Sequence, residues 1–404
     1  MFHLERPGHR GPHLRTLACR AAVLVTEDLP TQPLTGWVDR LAARCDTPLW
    51  AVDTACVVPM RLVGKAHDRA FAFRDATRDL LEKRLTRPWP EVESSREPFL
   101  PTDLPFDPVD LKADLADLIS RCDIDHAVGP VGHTVGGATA GYARWEAFKA
   151  NKLKRYDDDR NDALRDGVSR ISAYLHYGMV SPLRVAREAA RVQGVGAEKY
   201  LDELLVWREL AYAFCFHRRD HESTAALPPW AVRTLADREG DARPALLDWE
   251  TLARGKTGDP LRDAAQRSLL LQRELHNNVR MTWGKAFVQW TPDAVTALRR
   301  MIDLNHRYAL DGRDPASYGG LLWCLGQFDR PHQPPRRIIG TVRTRPTEEH
   351  AARLDSEKYL EKVTRPWPAP APRVALIGAC VSGMIAARTL QDHGLEVTVF
   401  EKSR

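Results

Sequence analysis

From about residue 138 to 345 the chain repeats apolar residues at three- and four-residue spacing, most clearly over 197–217, 261–290 and 293–309. That period is the mark of helices that bury one face. The segments between them are turn-formers such as LPPW (227–230), TGDP (257–260) and DGRDP (311–315). Pro, Gly and Asp in these positions stop helices rather than extend them. The pattern predicts an all-helical domain over 138–345.

The residues in front have a different texture. AAVLVT (21–26) and PLWAVD (48–53) are short apolar runs separated by a helical pattern near 34–44. A second helical pattern follows near 67–84, and HAVGP (126–130) reads as a last short strand. Strands alternating with helices predict a parallel α/β layer. Its first clear strand comes only after twenty residues. The opening strands of such a layer are therefore expected to be missing, which leaves a sheet edge and apolar surface open. The fold expected is α/β plus all-α: a partial parallel-sheet domain over 1–137, then the helical domain over 138–345.

Two further pieces follow. TEEHAARLDSEKYLEKV (347–363) is charged and helical in pattern, and RPWPAPAP (365–372) is a stiff proline-rich linker, so 346–372 reads as helix plus linker. Residues 373–404 read as strand, tight turn, helix and strand.

Composition narrows the function classes. No run of eighteen apolar residues exists, which excludes a membrane-spanning helix, and the basic N-terminal stretch has no apolar segment of signal-peptide length after it. A cytoplasmic monomer is the expectation. The seven cysteines form no CxxC pair and the 14 histidines no HExxH, so reduced thiols and no metal site are expected. Between 151 and 345 there are 32 Lys+Arg against 25 Asp+Glu. This excess permits phosphate contact, with Arg218, Arg219, Arg336, Arg337 and Arg343 as candidates.

Four clusters carry the chemistry. In RYDDDRNDALRDGVSRISAYLHYGMVSP (155–182), Gly167, Ser169 and Ser172 stand where a helix begins, followed by Tyr174, His176 and Tyr177. A helix start with hydroxyls offers donors to a phosphate, and the same residues can serve as an ordinary cap. In LDELLVWRELAYAFCF (201–216), Glu203 and Trp207 are one helical turn apart. In HNNVRMTWGKAFVQW (276–290), Asn277 and Met281 are one turn apart, and Trp283 and Trp290 form a stripe that can equally be core. The fourth is RYALDGRDPASYGGLLWCLGQFDRP (307–331), preceded by Asn305.

Together these clusters resemble the DNA photolyase/cryptochrome family. Ser169-Arg170-Ile171-Ser172-Ala173-Tyr174-Leu175-His176-Tyr177-Gly178 is similar to its flavin-phosphate signature, with Ala163 and Ala173 in place of the usual prolines. Arg160-Asn161-Asp162 and the segment 305–318 resemble the class II cyclobutane pyrimidine dimer photolyases in particular. The resemblance implies FAD as cofactor, held by Tyr156, Ser169, Arg170, Ile171, Ser172, Arg280, Asn305, Asp311 and Asp314. It implies ultraviolet-damaged DNA as partner, with the dimer flipped out and repaired by an electron from excited reduced flavin. Glu203 and Asn277 would meet the dimer by hydrogen bonds, Met281 would lie beside it, and Trp207 and Trp323 would stack on it. Trp283 would be the flavin-proximal electron donor.

Two departures qualify this. Where the class II pattern carries a relay tryptophan, this chain has Arg262, so photoreduction of oxidised flavin is expected to be slow or rerouted. Gly378-Ala379-Cys380-Val381-Ser382-Gly383 resembles the dinucleotide-binding start of FAD-dependent amine-oxidase-like oxidoreductases, with Cys380 where the middle glycine admits a pyrophosphate. This piece is expected to be a stub without working function. The alternatives on the same fold are a cryptochrome-like receptor without repair and an inactive remnant.

Overall fold

The computed structural model describes residues 2–88, 102–110, 112–365, 373–392 and 395–401. The proline-rich linker expected over 365–372 lies outside the described residues, apart from Arg365.

The N-terminal α/β element is small. Strands β1 (Leu24–Glu27) and β2 (Leu49–Val52) pair in parallel, Val25 opposite Trp50 and Glu27 opposite Val52, with helix α1 (Leu34–Ala42) between them in sequence. Residues paired across neighbouring strands point to the same face of the sheet. One face therefore carries Val25 and Trp50, which are 59% and 64% exposed. Helix α2 (Ala70–Thr86) follows, buries Phe73 and Thr77, and packs toward the helical region.

HAVGP (126–130) is a turn rather than the strand its composition predicts. Asp125 accepts from the Ala127 N–H through its side chain and from the Val128 N–H through its backbone, and His126 Nε2 bonds the Cys122 carbonyl. Local partners satisfy the backbone, and no ladder forms.

The helical region is built from α3 (Ala138–Asn151), α4 (Ser172–His176), α5 (Val195–Leu201), α6 (Glu209–His217), α7 (Pro260–Arg267), α8 (Asn277–Trp290), α9 (Ala294–Tyr308) and α10 (Pro315–Trp323), with further short helices between. Several starts were written in the sequence. Asp259, Asp293 and Asp314 cap α7, α9 and α10, each accepting from a backbone N–H in the first turn, and Pro260 and Pro315 occupy first helical positions. The helix expected over 197–217 is continuous through a π-helical segment, Asp202–Arg208.

The helix expected over 261–290 is broken. After a π-helical turn, Ser268–Gln272, Arg273 takes φ 57° and α8 begins only at Asn277. Ser268 Oγ donates to the Glu274 carbonyl, and Leu310 N–H donates to the Arg273 carbonyl. Those bonds replace the helical ladder across the break. The helix expected over 347–363 is likewise two, α11 (Thr347–Ala351) and α12 (Ser356–Thr364), because Asp355 starts a new cap.

The main core lies among α6 to α10. Phe214, Trp283, Phe287, Met301 and Leu321 are fully enclosed there. Strands β3 (Arg373–Ile377) and β4 (Glu396–Phe400) pair in parallel around α13 (Val381–Asp392). Gly383 there lies against the Gly378 carbonyl, and a Cβ at Gly383 would stand 2.0 Å from that oxygen, so no side chain fits.

One buried carboxyl joins the two regions. Glu209 accepts from the N–H groups of Val57 at 2.6 Å and Val58 at 3.1 Å, bonding the segment after β2 to α6. Burial pushes its pKa up to about 8, against the pull of the two N–H donors. Glu209→Ala should lower unfolding free energy by about 2–4 kcal/mol in urea titration, since two buried donors lose their partner. The folded value lies above the ordinary 4.5, so this group's stabilisation is fully present below pH 4.5 and lost as pH rises through about 8. Comparing native protein with Glu209→Gln across that window should isolate the slope.

Candidate cofactor and lesion site

The break before α8 makes the site. A cavity of about 480 Å³ opens among four walls, a size in the ordinary range for small-molecule sites. The first wall is Tyr156 with the loop into α4, Ser169 to Ser172, and the second is Glu203 and Arg208 from the π-helical segment. The third is the interrupted helix itself, from Ser268 through Glu274, His276 and Asn277 to Arg280. The fourth is the entry to α10, with Asp311, Asp314 and Ser317.

Each wall is held from behind. Arg170, at φ 53°, donates from Nε to Glu274 at 2.7 Å, tying the first wall to the third. Tyr200 donates to Ser169 Oγ at 3.5 Å, and Ile171 is buried just ahead of the α4 start at Ser172. Glu203 sits between two cations, 2.6 Å from Arg160 and 2.8 Å from Lys199. Arg280 lies 3.4 Å from Asp311.

Asp314 is the most engaged of these residues. It caps α10 through the Ala316 N–H, accepts the Tyr212 hydroxyl at 2.5 Å and lies 3.1 Å from His176 Nδ1. Burial alone would raise its carboxyl. His176, the Arg208 charge and Tyr212 outweigh that and hold it below the ordinary 3.8.

Several buried polar atoms on or beside this cavity have no partner in the protein. Asn305 donates to Ser317 Oγ at 2.6 Å, but its Oδ1 has none, and the residue is fully enclosed. Arg280 Nε and both ring nitrogens of His276 are also unpartnered. Burial pushes His276 down to about 4, so its ring is neutral near pH 7 and offers one donor and one acceptor. Buried polar groups rarely go unpaired, so these atoms fit a large polar ligand with both donors and acceptors.

The sequence-predicted residues divide into two sets. Tyr156, Ser169, Arg170, Ile171, Ser172, Glu203, Asn277, Arg280, Asp311 and Asp314 line the cavity, and Asn305 stands behind Ser317. Trp207, Met281, Trp283 and Trp323 are not in the lining. Trp283 is enclosed in the core, its Nε1 donating to Gln266 at 2.8 Å and its ring 4.8 Å from Phe287. Trp207 and Trp323 are half-buried on the edge of the same core. Of the basic candidates, Arg218 pairs with Asp220, Arg219 with Asp39 and Arg343 with Asp329, while Arg336 and Arg337 are exposed.

Sequence reasoning missed His276, although it opens the quoted cluster, and also Arg208, Glu274, Tyr359 and Lys362. Tyr359 and Lys362 belong to α12, beyond the boundary drawn at 345, yet they form part of the cavity wall. Only their i, i+3 spacing hinted at a shared face. Among the described residues, no group of three or more His, Cys, Asp or Glu side chains could hold a metal ion, and no helix is long and apolar enough to cross a membrane.

No protein-family model matches the chain. The deoxyribodipyrimidine photo-lyase of Arabidopsis thaliana is 31% identical over 338 residues, covering 80% of this chain and 67% of that protein. The chain belongs to the photolyase/cryptochrome family. The deoxyribodipyrimidine photo-lyase of Methanothermobacter thermautotrophicus is 29% identical over 334 residues, 81% of this chain and 71% of the relative. Among solved structures, the fold is similar to a class III photolyase from Agrobacterium tumefaciens (TM-score 0.60, 18% identity, 87% of this chain and 70% of that one). It is equally similar to a cryptochrome from Synechocystis sp. PCC6803 (TM-score 0.60, 19% identity, 87% and 70%). An archaeal photolyase from Sulfolobus tokodaii, solved with two FAD molecules, has TM-score 0.57 at 14% identity, covering 87% and 72%. FAD is the chromophore of this photolyase/cryptochrome family.

Asp314→Ala should cost about 3 kcal/mol in denaturant titration, because it removes a cap, leaves the Tyr212 hydroxyl without its buried acceptor and takes away the negative charge that faces Arg208. The Asp314 pKa is depressed, so its stabilisation is present above the ordinary 3.8 and lost as pH falls through the lower folded value. The gap between native and variant should therefore shrink only in strong acid.

Proposed function

We propose that this chain binds FAD in the cavity before α8 and uses it for light-driven repair of cyclobutane pyrimidine dimers in DNA, as a carbon–carbon lyase of the class II kind. The observation that carries this reading is the meeting of the four clusters around one cavity. Its unpartnered buried atoms, at Asn305, Arg280 and His276, add the demand for a polar ligand. Relatives at about 30% identity named deoxyribodipyrimidine photo-lyase support it independently.

In this reading Ser169, Arg170 and Ser172 at the α4 start hold the phosphates, with Tyr156 and Ile171 beneath them. Arg280, Asp311 and Asn305 meet the ring system, and Asp314 fixes the α10 entry that carries Ser317. Bound there, FAD supplies the light absorption and the electron that opens the dimer. The chain's own residues recognise and orient. Glu203, fixed by Arg160 and Lys199, and Asn277, at the exposed start of α8, offer hydrogen-bonding edges to the flipped bases. Trp207 and Trp323 offer π-faces, each base–aromatic stack contributing about 1–3 kcal/mol. A dimer is already poorly stacked, so flipping it costs less than flipping an intact pair.

Arg262 occupies the place of the relay tryptophan. It is fully enclosed, donates to the Leu252 carbonyl at 2.6 Å and lies 4.9 Å from the Phe287 ring and 6.0 Å from Trp290. Burial lowers its pKa to about 10, so it remains a cation at neutral pH. At an effective dielectric of about 20, a charge at that range opposes a second positive charge by about 3 kcal/mol. Oxidation of Trp290 is disfavoured by the same amount.

The test is a visible spectrum of purified protein, followed by a light and dark assay on a dimer-bearing oligonucleotide. Bound flavin and light-dependent loss of dimers are expected. Flavin without repair would favour the receptor alternative, and absence of flavin would favour the inactive remnant. Blue-light reduction without added reductant should be slow in native protein and faster in Arg262→Trp. Equal rates would remove Arg262 as the cause.

A further inference from the structure

Lys285 is a buried ammonium that the reading above leaves unused. It is 2% exposed, one helical turn after Met281 on α8, and no carboxylate pairs with it among the described residues. Its Nζ donates to the Cys324 carbonyl at 3.1 Å, just past the end of α10, and lies 4.7 Å from the centre of the Trp323 ring. The acid whose charge reaches it, Asp329, is engaged by Arg343 at 3.1 Å and lies 3.4 Å from His332. The Arg343 guanidinium itself lies 5.8 Å from the Trp323 ring.

A charge taken out of water without an ion partner is costly, and an unbranched alkyl chain of the same length would be cheaper in this place. What the charge gains is the face of the indole, where a desolvated cation is held by the ring quadrupole. A ring with an ammonium against it has one orientation and a depleted electron cloud. Such a ring stacks better on a neutral base and is harder to oxidise.

We infer that Lys285 is the positioning residue of the Trp323 wall, holding the indole in place to receive a flipped base and keeping it from acting as an electron donor. This rests on the repair reading, in which Trp323 stacks on the dimer. It also separates two tryptophans of one core: Trp283 bonds a neutral amide, Gln266, whereas Trp323 bears a cation.

The ammonium is open to titration. Burial lowers Lys285 to about 8, moderated by Cys324 and Asp329 and reinforced by Arg343 and Arg345. The cation is therefore present below about pH 8 and lost above it.

The experiment is dark binding, by fluorescence anisotropy, of a single-stranded oligonucleotide with and without one thymine dimer. Native protein, Lys285→Met and Lys285→Arg are compared between pH 7 and 9. Native protein should prefer the dimer at pH 7, with the preference falling as pH passes about 8. Lys285→Met should lose about tenfold of that preference at pH 7 and show no such pH dependence, with flavin content and urea midpoint kept at or above native levels. Lys285→Arg should restore the preference and hold it flat to pH 9. A Lys285→Met protein with native preference, or a native profile flat across pH 8, overturns the inference and leaves the repair reading intact. Native protein without any preference for the dimer overturns both. If Lys285→Met does not fold, the native and Lys285→Arg profiles alone decide.

Discussion

Everything in the site hangs on a buried chain of hydrogen bonds centred on Arg208. Its guanidinium donates to the Ala55 carbonyl at 2.6 Å and to the Tyr212 hydroxyl at 2.9 Å, and that hydroxyl donates in turn to Asp314. Asp314 in turn caps α10 and meets His176, the last residue of α4. One side chain thus fixes the segment after β2, the helix through 217, the start of α10 and the end of α4. Its neighbour Glu209 repeats the tie through Val57 and Val58. Buried polar networks of this kind are costly when any member is unpaired, which is why they hold one arrangement.

The second constraint is the interruption at Arg273–His276. A continuous helix over 261–290 would have run its side chains past one another at the usual spacing and closed the space between walls. The left-handed residue at 273 turns the chain, exposes the start of α8 and brings Glu274, His276 and Asn277 into the cavity. The ion pair from Arg170 to Glu274 then locks that connector against the loop into α4. Non-glycine residues in this conformation are uncommon and cluster where function needs them.

The tryptophans show how tertiary environment assigns different chemistry to the same residue type. Trp283 sits in the core with a neutral hydrogen-bond partner, Trp290 has the Arg262 cation beside it, and Trp323 carries Lys285. In low-dielectric surroundings each of these charges acts with little screening. The three rings therefore differ in how readily they lose an electron, although Trp283 and Trp290 read in the sequence as one stripe.

The sequence by itself determined the helical character of the region over 138–345, most of its element starts, and the four clusters that resemble the family. Those features are local: periodicity, an Asp-Pro start, a run of motif residues. It also held the parallel pairing of β1 with β2 and of β3 with β4, because apolar runs separated by a helix leave few other arrangements. Tertiary structure alone decided the break before α8 and the joining of α12 to the cavity, where contacts distant in sequence outweighed local preference, whereas the turn at 126–130 was settled by near neighbours, Asp125 and Cys122, that its apolar composition did not reveal. The same holds for Arg208, His276, Lys285 and Lys362. No spacing distinguishes a charged residue on a wetted face from one buried against an aromatic ring or a carbonyl, because that difference is made by what packs against it.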